Sequence, residues 1–151
     1  MKKVLILYIS TTGNTEQIAH LLNEALSDND FDITTMSFDF TNLDALDLLQ
    51  YDGILFGTHT YNDGDLPFET DVFLDTLLTL DLNNKIVGIF GSGDTSYSYF
   101  CEAVEIMKDE FALRNAIVLE HTVRVNLYPD LDQDLLSIHK LASLFQEALL
   151  E

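Results

Sequence analysis

The sequence is short of several features, and each shortage excludes a class of protein. Its 151 residues include a single cysteine, Cys101, so neither an intrachain disulfide nor a cysteine-based metal site is available. No apolar run reaches the ~18 residues of a membrane-spanning helix. Only 7 residues are Lys or Arg against 26 Asp or Glu, which gives a formal charge of −19. Such a chain repels nucleic acid and anionic membranes, and it attracts basic proteins.

The composition that remains is that of one folded domain. Apolar residues make up 47% of the chain, which is too many for a disordered protein. The length suits one core, so we expect a single domain over residues 1–151. The short apolar run after Met1-Lys2-Lys3 favours a first strand over a signal peptide. A lone cysteine fits a reducing, cytoplasmic setting.

Three continuous apolar runs, at 4–9, 53–58 and 86–91, each end in a polar loop. Strands that are apolar on both faces are typical of a parallel sheet covered by helices on both sides. The other predicted elements are strands at 31–38 and 116–125, a short helical piece after Thr41-Asn42, and helices at 15–26, 68–80, 100–113 and from Asp132 onward. Strands and helices therefore alternate as five βα units. This predicts an α/β fold, with an unbroken last strand at the edge of the sheet.

Ligands of such sheets bind at the carboxyl ends of the strands, where three loops meet here: 10–15, 58–66 and 92–99. The first loop opens a helix, whose N-terminal N–H groups favour an anion. It adds neutral donors and contains no Lys or Arg: Ser10, Thr11, Thr12, Asn14 and Thr15. The pattern predicts a phosphate seat. The plainer alternative is a helix cap, with Asn14 and Gln17 forming a capping box.

The second and third loops each place a tyrosine, Tyr61 and Tyr97, at this edge. Two aromatic faces beside a phosphate seat suit a flat, phosphorylated heterocycle. Acidic neighbours disfavour any further negative charge on that ligand: Asp63, Asp65, Asp94 and Glu102.

Three motifs together resemble those of short-chain flavodoxins, in the right order and spacing. They are S-T-T-G-N-T-E at 10–16, G-x-x-T-aromatic at 57–61 and G-S-G-D-x-S-Y-x-Y-F-C at 91–101. The resemblance spans essentially the whole chain. It implies a flavodoxin-like, doubly wound, five-stranded parallel sheet of order 2-1-3-4-5. The roughly 20-residue insertion of long-chain members is absent, because 116–125 runs unbroken.

The resemblance also implies the function. The chain would be a monomeric electron carrier with bound FMN, working at low potential in one-electron steps and without substrate turnover of its own. Its partners would be basic redox proteins such as a flavodoxin reductase and oxidoreductases, and neither nucleic acid nor membrane.

Site residues follow from the same resemblance. The first-loop donors would hold the FMN phosphate, assisted by Thr60. Tyr61 would cover the inner face of the flavin and Tyr97 the outer face. Backbone N–H groups of Asp94 and Cys101 would meet the pyrimidine edge. The remaining members of the predicted site are Tyr99, which closes it, Ser92 and Gly93, which shape the loop, and Thr58, His59, Asn62 and Phe100.

Two positions depart from the common pattern of the family. His59 stands where a small hydroxyl residue is frequent, and a nearby phosphate dianion would favour its protonated form. The alternative is a solvated loop histidine. Asn62 stands where glycine is common, after the aromatic residue whose following peptide turns over when the flavin is reduced. Asparagine tolerates the left-handed backbone less freely than glycine, so we expect a weakened turn.

Other functions remain as alternatives or are disfavoured. A small flavoprotein enzyme or activator of the same fold, reducing a quinone or activating a metalloenzyme, is the main alternative. A receiver domain would need acidic residues where Ser10 and Thr58 stand. Neither a Cys-to-Arg phosphatase loop nor a G-K-[ST] nucleotide loop occurs. A calcium loop at 130–141 lacks its glycine and its final glutamate, so no metal site is expected.

Overall fold

A computed structural model describes residues 1–9, 13–27, 30–37, 48–60, 73–75, 77–95 and 101–151. Its strands are β1 (Lys2–Tyr8), β2 (Phe31–Ser37), β3 (Gly53–His59), β4 (Ile86–Gly93), β5 (Ile117–Val118) and β6 (Val123–Asn126). Its helices are α1 (Asn14–Leu26), α2 (Glu102–Leu113), α3 (Asp132–Leu150) and a 3-10 turn at Leu48–Gln50, and residues 73–75 and 77 are also helical.

The strands form one parallel sheet in the order β2-β1-β3-β4-β5, with β6 also paired to β4. This confirms the predicted order. Tyr8, Gly57 and Phe90 lie in one row across β1, β3 and β4. Because every strand runs in the same direction, their carboxyl ends lie at one edge, which is where the three candidate loops begin.

Helices cover both faces of the sheet, as the doubly apolar strands predicted. Successive residues of β1 point to opposite sides. Val4 and Ile6 pack in the core that also contains Ile18 of α1 and Phe145 of α3. On the other face, Leu5 and Leu7 pack with Phe56, Phe73, Met107 and Phe111, and the rings of Phe56 and Phe73 stack at 5.1 Å. None of the helices in the described ranges combines the length and apolar character needed to cross a bilayer.

The last strand is interrupted, so the prediction of an unbroken strand at 116–125 was wrong. Val87 pairs with Val118 and Phe90 with Val123. Val118 and Val123 are five positions apart in sequence, whereas their partners in β4 are only three apart. The two extra residues interrupt the pairing with β4 between β5 and β6. The His121 ring contacts α3, with Nε2 3.0 Å from the carbonyl oxygen of Ser137. Only residues 119–122 intervene, which leaves no room for the long insertion, so the short-chain assignment holds.

Several helix starts also differ from the prediction. Asn14 is the first residue of α1 and not its cap. Gly13, with φ of 89°, precedes it, and among the described residues no side chain caps the helix. Asp132 is likewise the first residue of α3, and the Asp134 carboxylate accepts the Leu131 N–H at 3.3 Å. Helix α2 starts at 102 because Cys101 has φ of 53°. The predicted helical piece after Thr41-Asn42 and most of the helix at 68–80 lie outside the described residues.

Candidate functional site at the carboxyl edge of the sheet

The described part of the chain contains about half of the predicted site. The described members are Asn14, Thr15, Thr58, His59, Thr60, Ser92, Gly93, Asp94 and Cys101. The others lie outside the described residues, and their roles remain predictions: Ser10, Thr11, Thr12, Tyr61, Asn62, Tyr97, Tyr99 and Phe100.

The N-terminus of α1 has the form that an anion seat requires. Gln17 N–H makes the first helical bond, to the Gly13 carbonyl at 3.0 Å. The three preceding N–H groups therefore stand outside the helical ladder, at the positive end of the dipole. Gly13 adopts the left-handed backbone, and a Cβ built on it would meet no atom within 4 Å. The space in front of the first turn is thus open on the Gly13 side.

A buried pair of hydroxyls joins this helix to the end of β4. Thr15 Oγ1 lies 2.7 Å from Ser92 Oγ, and the two residues are only 1% and 4% exposed. The pattern assigned Thr15 to the phosphate and Ser92 to the shape of a loop, but it did not predict their contact. No local signal reports it, since 77 residues separate the two in sequence.

Thr60, at the start of the second loop, forms hydrogen bonds to β4 and to the first turn of α2. Its N–H donates to the Ser92 carbonyl at 3.1 Å. Its Oγ1 accepts the N–H of Ala103, in the first turn of α2, at 3.0 Å. Because the hydroxyl acts as acceptor there, its own proton remains available to a ligand oxygen. The predicted assisting role of Thr60 is therefore compatible with its position.

Thr58 and His59 belong to strand β3 itself. The Thr58 hydroxyl is fully buried and donates to the His59 carbonyl at 3.2 Å. His59 lies opposite Ser92 in the register, and both of its ring nitrogens are shielded from solvent. A solvated loop histidine is therefore the wrong description of His59.

Cys101 is fully buried immediately before α2. Burial raises the pKa of its thiol to about 12, although the Arg124 guanidinium and a backbone hydrogen bond with Val125 act in the opposite direction. The thiol is therefore protonated at neutral pH. This supports a structural role rather than a nucleophilic one, because the thiolate is the reactive form.

The segment that begins the third loop is held by the last residue of β6 and the residue that follows it. The Leu127 N–H donates to the Gly93 carbonyl at 2.8 Å, and the Thr95 N–H donates to Asn126 Oδ1 at 3.0 Å. Sequence reasoning missed Asn126 and Leu127. Their only signal is position, at the end of a strand that pairs with β4.

Arg124 is the basic side chain that β6 brings near this edge, opposite Gly91. It forms an ion pair with Glu105 and donates its Nε–H to Thr122 Oγ1 at 3.1 Å. Its charge is thus already matched within the protein. By contrast, Lys2, Lys3 and Lys85 lie at the amino ends of β1 and β4, the opposite edge. None of these four basic residues is therefore placed to serve as a free counter-charge at the N-terminus of α1.

Two cavities bounded by described residues lie elsewhere. A groove of about 350 Å³ between α1 and α3 is lined by side chains that include Glu24 and His139. A second cavity, of about 320 Å³, lies at the amino edge near Lys2 and Asp52. Neither contains a residue of the predicted site.

Comparisons with known proteins agree with this architecture. A family model described as Flavodoxin matches residues 6–138. The probable flavodoxin 1 of Bacillus subtilis is 38% identical over 142 residues, covering 94% of this chain and 89% of the relative. The structure of oxidised flavodoxin 2 from Bacillus cereus has a TM-score of 0.89 at 39% identity, covering 96% of this chain and 98% of the other. Flavodoxin from Fusobacterium nucleatum, solved bound to flavin mononucleotide, has a TM-score of 0.79 over 97% and 98% of the two chains. At 18% identity, that last likeness concerns the fold alone.

Proposed function

This chain belongs to the flavodoxin family, and from that premise we propose that it binds one FMN at the carboxyl edge of its sheet and carries single electrons between redox proteins. The observation that carries the proposal is the N-terminus of α1, with its open first turn and its neutral donors. A phosphate is the group that such a seat binds without a counter-charge from Lys or Arg.

The residues present fit FMN. The seat at α1, including Asn14 and Thr15, would hold the phosphate, with Thr60 donating from the second loop. Backbone N–H groups of Asp94 and Cys101 would face the pyrimidine edge of the ring. When bound, FMN supplies a redox couple that exchanges electrons one at a time.

The charge of the chain supports low potential. Reduction adds negative charge to the ring, and a protein of net charge −19 makes that addition unfavourable. The same charge would steer basic redox partners toward the protein, at rates that fall with ionic strength. We infer a cytoplasmic monomer with partners of the reductase and oxidoreductase classes, and no enzymatic turnover of its own.

Titration of the apoprotein with FMN tests the binding step directly. We expect one equivalent to bind, so the slope of flavin fluorescence against added FMN changes at a 1:1 ratio and equals that of free FMN beyond it. An apoprotein that binds no FMN contradicts the proposal.

A second assay separates a carrier from an enzyme. The loaded protein is mixed with NAD(P)H and a quinone, in the absence of any reductase. A carrier shows no steady turnover under these conditions, whereas steady quinone reduction would favour the enzyme of the same fold.

A further inference from the structure

We propose that Ser92 is a positioning residue for cofactor binding: its hydroxyl donates to Thr15 and thereby directs the Thr15 proton toward the phosphate. The inference rests on the proposed function, because it concerns the same site. It adds a residue at the end of β4 to the control of phosphate binding at the N-terminus of α1.

The geometry isolates this pair. The two oxygens are 2.7 Å apart, and both side chains are almost completely buried. Within the described ranges, 13–27, 48–60, 77–95 and 101–151 among them, neither hydroxyl has a second hydrogen-bond partner. Each hydroxyl carries one proton, so the pair has two protons to place and only one oxygen–oxygen bond.

The direction of that bond follows from what each residue adjoins. If Thr15 donated to Ser92, the Ser92 proton would have no acceptor among the described residues, and a buried, unsatisfied donor costs about 1–3 kcal/mol. If Ser92 donates to Thr15, the remaining proton belongs to Thr15, in the first turn of α1. A phosphate at that helix end would accept it, so the order Ser92 to Thr15 to phosphate satisfies both protons.

Ser92 is also well fixed for this role. It lies inside β4, opposite Val125 of β6 and His59 of β3, and its carbonyl accepts the Thr60 N–H at 3.1 Å. The same residue thus contacts the first loop through its side chain and the second through its backbone. A shift of Ser92 would therefore disturb both phosphate-side hydroxyls.

The test compares FMN with riboflavin, which lacks the phosphate. Ser92→Ala should weaken FMN binding about three- to tenfold, because the buried Thr15 oxygen loses its donor and the Thr15 hydroxyl is no longer fixed toward the phosphate, and it should leave riboflavin binding within about twofold. Thr15→Val should have a similar effect. The double variant should be no worse than Thr15→Val alone, because without the Thr15 hydroxyl Ser92 has nothing to direct. Thr15→Ser, which keeps the hydroxyl, should retain most of the FMN affinity.

Ser137→Ala is the matched control. It deletes a partly buried hydroxyl 3.2 Å from His121 Nε2, away from the site, and should leave both affinities unchanged. Urea unfolding of each apoprotein checks that the variants fold.

Three results would overturn the proposal: equal losses for FMN and riboflavin with Ser92→Ala, tighter FMN binding by Ser92→Ala, or additive effects in the double variant. None of these results bears on whether the wild-type protein binds FMN, so the proposed function is tested separately by the wild-type affinity.

Discussion

The ring of Phe90 occupies the space that a side chain on Gly57 would need. The two residues are register partners in β3 and β4, and a Cβ on Gly57 would collide with Cε2 and Cζ of that ring. Phe90 is fully buried in the core that also contains Tyr8 and Ile18. The glycine therefore permits a close contact within the sheet, one residue before the strand reaches the candidate site.

Gly57→Ala should lower the free energy of unfolding by about 2–3 kcal/mol, because the buried ring must move. Phe90→Leu removes the colliding atoms and should cost about 1–2 kcal/mol alone. The double variant should then be more stable than the sum of the two costs implies. Urea unfolding of the apoproteins measures all three.

Gly13→Ala provides the control for that cycle. Its φ of +89° imposes a strain of about 1–2 kcal/mol, but no neighbour lies within 4 Å of the new Cβ. Phe90→Leu should not relieve this cost. Strict additivity for the Gly57 and Phe90 pair would contradict the packing account.

The buried thiol of Cys101 makes a prediction about pH. Folding raises its pKa from 9.0 to about 12, mainly through burial. Above pH 9 the unfolded chain loses this proton while the folded chain keeps it, so stability is full below pH 9 and falls as pH rises toward 12. Under reducing conditions, apoprotein stability should decline more steeply from pH 9 to 10.5 in wild type than in Cys101→Ala, by at most about 1.4 kcal/mol per pH unit.

All other titratable groups are common to both proteins and cancel in the comparison. Parallel stability curves for the two proteins would show that folding does not raise the pKa of the Cys101 thiol.

Much of the fold was predictable because it depends on local patterns. The strands 4–9, 53–58 and 86–91 are apolar on both faces, and that property alone indicates a sheet covered on both sides. The break between β5 and β6 could not be predicted, because every part of 116–125 is compatible with a strand. It depends on a mismatch of two residues against β4, which is a property of the pairing.

The site likewise has a part that could be predicted from the sequence and a part that could not. Residue types and their order indicated Thr15, Thr60 and Ser92 as parts of one site. Their hydrogen bonds to one another could not be read from the sequence, since they join segments far apart in the chain. The burial of the His59 ring was missed for a related reason: a polar residue at the end of a strand looks like the start of a loop.

Asn62 makes a prediction about the stability of the one-electron-reduced flavin. Glycine adopts the left-handed backbone with less cost than asparagine, so Asn62→Gly should ease the peptide turn that the family resemblance implies. We expect a larger maximum fraction of the radical form during anaerobic reductive titration. An unchanged maximum would remove this role for Asn62.

His59 makes a separate prediction about cofactor affinity. Burial of the ring nitrogens disfavours a protonated imidazole and a bound phosphate dianion favours it, so proton uptake by His59 should accompany FMN binding and the ratio of FMN to riboflavin affinity should rise between pH 8 and pH 6. The phosphate itself titrates near pH 6, and this effect is shared by every variant. His59→Gln should show a flatter ratio than wild type. Identical profiles for the two proteins would assign the pH dependence to the phosphate alone.

The most direct test of the central claim is a spectroelectrochemical titration of the FMN-loaded protein under anaerobic conditions. If the protein is a low-potential one-electron carrier, reduction will occur in two separate one-electron steps. The second will lie well below that of free FMN, because the protein's negative charge opposes the second electron. A single two-electron step, or a second potential at or above that of free FMN, would contradict the account.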